Sequence, residues 1–310
     1  MKLLREENKM KKFELTTETK INIFGKKLFR IKALISFGPI SAGEKGGWVE
    51  KEENLSQSGN AWVFGNAEVS GDACVRGNAY IAGNAWVFGN AEVSGDAWVH
   101  NNAWVRGNAR VRDNAHVRDN TEVSGDAEIS GDAWVRGNAR VRGNAEVSGD
   151  AYISGTAEVR DNAWVRGNAR VRGNACVRGN AYIAGNAEVS GNAEVSGDAR
   201  VRGNAYIAGN ACVCDNARVR DNTEVSGDAE VSGDALVRSN ADYTTIHGFG
   251  THFRTTTFFR CKDKEIKVTC GCFFGTISEF RDQVKRTRKG KVAEEYLMIA
   301  DLMEKHFKEE

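Results

Sequence analysis

The chain has one proline, Pro39, in 310 residues, and five histidines. It holds no apolar run near the ~20 residues needed to cross a bilayer. Its start, MKLLREENKMKK, has no apolar stretch behind the basic residues, so no secretory leader is read there. Neither sign of charge dominates: 43 Lys and Arg stand against 42 Asp and Glu. That balance argues against a strongly basic nucleic-acid binder. The seven cysteines are an odd number without framework spacing, and free thiols in a reducing compartment are expected. Hydrophobic residues make up 41%, which is low for one large core and fits many small cores stacked in a row.

What is abundant is glycine, at 34 residues, and it is periodic. From Gly59 to Arg238 the chain reads as thirty consecutive hexads without insertion, beginning GNAWVF GNAEVS GDACVR GNAYIA. Position one is Gly, or Asp or Asn in six hexads. Position two is Asn or Asp except at Thr156, and position three is Ala except at Thr121 and Thr223. Position five is Val or Ile, while positions four and six vary. The alternation at positions three to six predicts a short strand with one buried face. Gly-Asn or Gly-Asp supplies a positive-φ corner. Six residues without reversal turn the chain by about a third of a circle, so three hexads make a triangular coil. About ten coils follow, each hydrogen-bonded to the next at ~4.8 Å, with Asn and Asp laddered along the edges.

The A-x-V spacing repeated every six resembles the hexapeptide-repeat proteins over residues 59–244. This implies a mainly β fold, a left-handed parallel β-helix. The usual pattern puts a small or acidic residue directly after the aliphatic one, whereas here that place holds Arg, Ser, Phe or Ala. The entry GGWVEKEENLSQSGNAWV (46–63) and the tail 253–280 resemble those of bacterial and phage members labelled transferase-like or polymer-forming, which implies a cytoplasmic or phage-particle setting.

Residues 1–11 are expected to be disordered. Residues 12–58, with the runs KFELTT and LFRIKALISF, are expected to form a small β cap. Residues 245–310 are expected to form a second cap: a hairpin, TTTFFRC and IKVTCGCFF turning at KDKE, then two helices. Thr276-x-x-Glu279 signals the first helix start. Val292, Tyr296, Ile299, Met303 and Phe307 form one stripe of the second.

Sorted in steps of eighteen, position four of the first face reads Trp62, Tyr80, Trp98, His116, Trp134, Tyr152, a row of rings. It continues as Arg170, Glu188, Tyr206 and Glu224. The other faces give Glu92-Arg110-Glu128 and Glu122-Arg140-Glu158. The ring row is either a stabilising stack or a strip that binds a glycan or a second copy. The arginines at position six, such as Arg106 and Arg112, read as a solvated, salt-bridged face.

The resemblance also implies an enzymatic alternative, an acyltransferase-like trimer using acyl-CoA with a histidine base. The solenoid histidines are His100 and His116, and spacing shows no acidic partner for either. No loop is extruded between 59 and 238. The carbonic-anhydrase branch needs three histidines per site. Cys261, Cys270 and Cys272 with His247, His252 or His306 do not have a standard zinc spacing, and no metal is expected.

One internal echo bears on function. HVRDNTEVSGDAEISGDAWVR (116–136) recurs as RVRDNTEVSGDAEVSGDALVR (218–238), and CVRGNAYIAGNA (74–85) recurs at 176–187. The offset is seventeen hexads, not a multiple of three, so each copy sits on a different face. This favours a non-enzymatic scaffold or binding solenoid, with self-association among its expected roles and no cofactor, nucleic acid or membrane expected.

Overall fold

The computed structural model describes residues 10–308. The chain divides into two compact units between Arg142 and Gly143, inside the repeat. Expectations for residues 1–9 fall outside the described residues. Lys11, expected to be disordered, pairs with Glu52 at 2.8 Å.

The first unit opens with an antiparallel pair, Phe13–Ile21 and Lys27–Ala33, followed by Lys45–Val49. The third strand then pairs in parallel with Glu68–Val69, so the cap sheet runs directly into a face of the solenoid. From Trp62 onward each hexad contributes a two-residue strand at positions four and five. Trp62 pairs with Tyr80, Tyr80 with Trp98, Trp98 with His116, and His116 with Trp134, all in parallel. The step of eighteen read from the sequence is therefore the coil.

Every position-five Val or Ile is fully buried, and the alanines at position three are at most 1% exposed. All thirty position-one residues have positive φ, the six non-glycine ones between 58° and 66°. Asp and Asn tolerate that region better than other side chains. Asp113 and Asp119 offset its cost by accepting hydrogen bonds from the amides of Gly131 and Gly137 in the next coil. The edge ladder is present: Asn84 donates to Asn102, Asn102 to Asn120, and Asn120 to Asn138, at 3.0–3.2 Å.

The entry end is sealed by donors. Lys12 Nζ donates to the Ala61 carbonyl at 2.9 Å, and Asn54 Nδ2 to the Ala73 carbonyl at 2.8 Å. Lys12 is 2% exposed, and burial pulls its pKa down to about 8.

The second unit is built of the same kind of coils. Its ladders run Asn144, Asn162, Asn180, Asp198 and Asn168, Asn186, Asn204, Asn222. The last solenoid strand is Leu236–Val237, and the degraded hexad becomes a 3-10 turn at Asn240–Asp242. The expected hairpin is part of a four-stranded antiparallel sheet, Tyr243–Phe249, Arg254–Arg260, Ile266–Cys270 and Phe273–Thr276. Helix α1, Ile277–Thr287, starts at the Thr276–Glu279 capping box. Helix α2, Gly290–His306, buries Tyr296, Ile299 and Met303, and Phe307 follows at its C-cap. Together they pack on Phe258 and Val268.

Here the solenoid end is sealed by acceptors. Glu224 N–H donates to Asn240 Oδ1 at 2.8 Å, and Glu230 N–H to Thr257 Oγ1 at 3.0 Å. No helix among the described residues is long and apolar enough to cross a membrane.

Candidate functional site

Variable side chains at positions four and six give the solenoid surface its chemical variety, because positions three and five fill the core. In the first unit the first-face column holds Trp62, Tyr80, Trp98, His116 and Trp134 in register.

Trp62 is fully buried. The cap covers its indole, with Phe13 at 6.3 Å and Phe37 at 5.4 Å between ring centroids. It therefore serves the cap junction and has no surface to offer a ligand. Tyr80, Trp98, His116 and Trp134 remain at the surface. Their centroids are spaced 5.6, 5.7 and 4.3 Å, the last pair stacked at 17°. Trp98 is the most exposed, at 46%. The Arg118 guanidinium closes the end of the column, 5.0 Å from the Trp134 ring. Tyr152 belongs to the second unit. It pairs with Arg170 and lines a polar cavity of about 650 Å³ with Asp150, Arg172 and Glu188.

At the other end of the column, Phe64 packs on Tyr80 at 5.5 Å. Pro39, Phe64, Tyr80, Trp98 and His100 line an open, mainly apolar cavity of about 560 Å³. One of the two candidate histidines thus faces this cavity. The other, His116, is sandwiched in the ring column. Burial, and then the charges of His100 and Arg118, hold the His116 imidazole below its ordinary pKa against the pull of Asp132.

The acidic partner that spacing did not reveal is Asp119, which interacts electrostatically with both His100 and Arg118. Burial raises its pKa, but the Gly137 amide, Asn101, Arg118 and His100 hold the carboxyl below its usual range. Its oxygens accept hydrogen bonds from Asn101 Nδ2 at 2.9 Å and Gly137 N at 3.0 Å.

A second aromatic group was not anticipated. Trp86 and Trp104 stack on the second face at 5.3 Å and 2°, with Phe88 beside them. Phe24, at the tip of the cap hairpin, packs on Trp86 and Phe88 at 5.4 and 5.1 Å. The same step of eighteen contains this signal, as Glu68, Trp86, Trp104, Glu122.

Arginines at position six reach diagonally to glutamates one coil on. Arg106 Nε donates to Glu122 at 3.0 Å, Arg178 Nε to Glu194 at 2.8 Å, and Arg112 pairs with Glu128. No three metal-ligating side chains converge among the described residues. The seven cysteines carry free thiols, with Cys261 buried and Cys272 exposed.

No family model matches the chain, and no curated protein matches it. Among solved structures it is similar to one described as LpxA from Acinetobacter baumannii. The two are 14% identical, the match covers 53% of this chain and 70% of that one, and the TM-score is 0.36.

Proposed function

We propose that the chain is a rigid β-solenoid scaffold that binds an extended ligand, a glycan by its chemistry, through the aromatic column of its first unit. The observation that supports this reading is the surface row Tyr80, Trp98, His116, Trp134, fixed in register and ending in the apolar cavity at Phe64 and His100. Parallel strands hold such rings at a constant repeat with little conformational entropy left to lose on binding. The apolar faces of sugar rings pack on such aromatics, and an exposed aromatic row is uncommon on a surface with no partner. A second copy of the chain would cover the same row.

Titration with a panel of neutral oligosaccharides, followed by tryptophan fluorescence and calorimetry, tests this. Binding by the parent chain that Trp98→Ala weakens supports the reading. No binding across the panel, or binding indifferent to Trp98→Ala, overturns it. Light scattering at the same concentrations separates ligand binding from self-association.

A second reading, acyl transfer, is favoured by one observation. His100 lines an apolar cavity and has Asp119 within electrostatic reach. In this reading a neutral imidazole takes the proton of a substrate hydroxyl or amine as that group attacks the thioester carbonyl of acyl-CoA. The carbon–sulfur bond breaks, and the CoA thiolate leaves and is protonated. Calorimetry with acetyl-CoA, on a sample of known mass, tests it. Saturable binding, with thioester turnover lost in His100→Ala, supports it. A trimeric sample that does not bind overturns it.

A further inference from the structure

Most arginines at position four pair in register with a glutamate in an adjacent coil. Arg110 lies between Glu92 and Glu128, and Arg170 pairs with Glu188. The third face of the second unit breaks this rule. Its column runs Trp164, Tyr182, Arg200, Arg218, Leu236, so Arg200 and Arg218 are directly opposed. Like charges opposed across a strand pair are destabilising. Among the described residues neither guanidinium forms an ion pair with a carboxylate, and the one carboxylate within electrostatic reach of Arg218, Asp234, is paired with Lys262.

The surroundings reinforce the excess. Position six of the same coils carries Arg202, Arg220 and Arg238, and Lys262 comes in from the C-terminal sheet. Of the three nearby aspartates only Asp234 is ion-paired, and the arginines still outnumber the other two. Asp198 accepts from Asn180, Asp215 from the Gly233 amide, and Asp234 from Lys262.

Two cavities border each other at Asn180 and Arg200, a bipartite groove. The first, about 460 Å³, is lined by Trp164, Tyr182 and Arg202. The second, about 270 Å³, is lined by Asp198, Asn216, Arg218 and Lys262.

We propose that this groove binds a segment of an acidic polysaccharide. Its carboxylates take the Arg200–Arg218 pair, since guanidinium forks match carboxylates bidentately. Its hydroxyls take the amides of Asn180 and Asn216. Single-stranded nucleic acid fits less well. The guanidinium of Arg166 lies 3.9 Å from the Trp164 ring and that of Arg202 lies 4.8 Å from Tyr182, so cations occupy the faces on which bases would stack. The groove consists of second-unit residues alone and does not depend on the aromatic column above.

The test is calorimetry with a short oligogalacturonate, a neutral oligosaccharide of equal length and a single-stranded oligonucleotide of equal charge. Binding of the oligogalacturonate alone is expected, weakening as salt is raised. The double variant Arg200→Glu/Arg218→Glu should weaken it by at least about tenfold, a change of ~1.4 kcal/mol. Arg218→Gln should weaken it less, and Arg110→Gln in the first unit should not change it. Circular dichroism of each variant verifies the fold. Absence of oligogalacturonate binding, or binding unchanged in both Arg218 variants, overturns the site. Binding of the oligonucleotide in preference to the uronate overturns the ligand class.

Discussion

The imidazole of His116 lies over the indole of Trp134, with centroids 4.3 Å apart and planes 17° from parallel. An imidazole held there, half buried and beside His100 and Arg118, gives up its proton more readily than one in water. Its titration followed by NMR should therefore have a midpoint below 6.5. The unfolded chain binds that proton up to a higher pH than the folded one. The contribution to stability thus grows as pH rises through the window between the two midpoints. Trp134→Ala, which opens the site to water, should move the midpoint back toward 6.5.

Lys12 makes the opposite end of the pH range informative. Its folded pKa of about 8 lies below the ordinary 10.5 because burial penalises its charge. Between these values the unfolded chain holds the proton and the folded chain does not, so stability rises with pH across that window. The cost of the buried charge is present in full below about pH 8. Urea midpoints taken from pH 7.5 to 10.5 should show this slope in the parent and a shallower one in Lys12→Met.

Asn120 sits mid-ladder, accepting from Asn102 and donating to Asn138, both at 3.0 Å. Asn120→Ala removes both bonds without touching the core, and should cost about 1 kcal/mol in denaturant unfolding.

The opposed arginines give a prediction of the other sign. Arg218→Glu places a carboxylate in register with Arg200, as Glu188 is with Arg170. It should raise stability by roughly 0.2–1 kcal/mol, visible as a higher Tm. Together with weaker uronate binding, that outcome would mark Arg218 as kept for a ligand at some expense of stability.

The repeat was legible because its physics is local. Gly or Asp at position one, Ala at three and Val or Ile at five each state their own backbone or packing demand, and sorting by eighteen placed Trp98 beside His116 correctly. The capping box at Thr276 was legible for the same reason. What escaped depends on contacts distant in sequence. Nothing in GNAWVF shows that Phe13 and Phe37 fold over Trp62, which takes the head of the ring row out of the surface. Asp119 shows no link to His100 in linear spacing, because a coil separates them. The stacked Trp86 and Trp104 lie in one sorted column, but Phe24, which packs on Trp86, is distant in sequence. The Arg200–Arg218 clash was equally countable, and it stands out only once each neighbour's partner is known.

The seals at the two solenoid ends have a consequence for assembly. The Ala61 and Ala73 carbonyls are closed by two side chains, Lys12 and Asn54, rather than by further backbone. A chain lacking the whole cap, the Lys45–Val49 strand included, would present a coil face that the hexads of another molecule match in pitch and pattern. Such a chain should grow end to end, with a lag that small amounts of preformed fibre abolish. The cap is then a chain terminator as much as a lid, and its presence is the difference between a discrete protein and a seed.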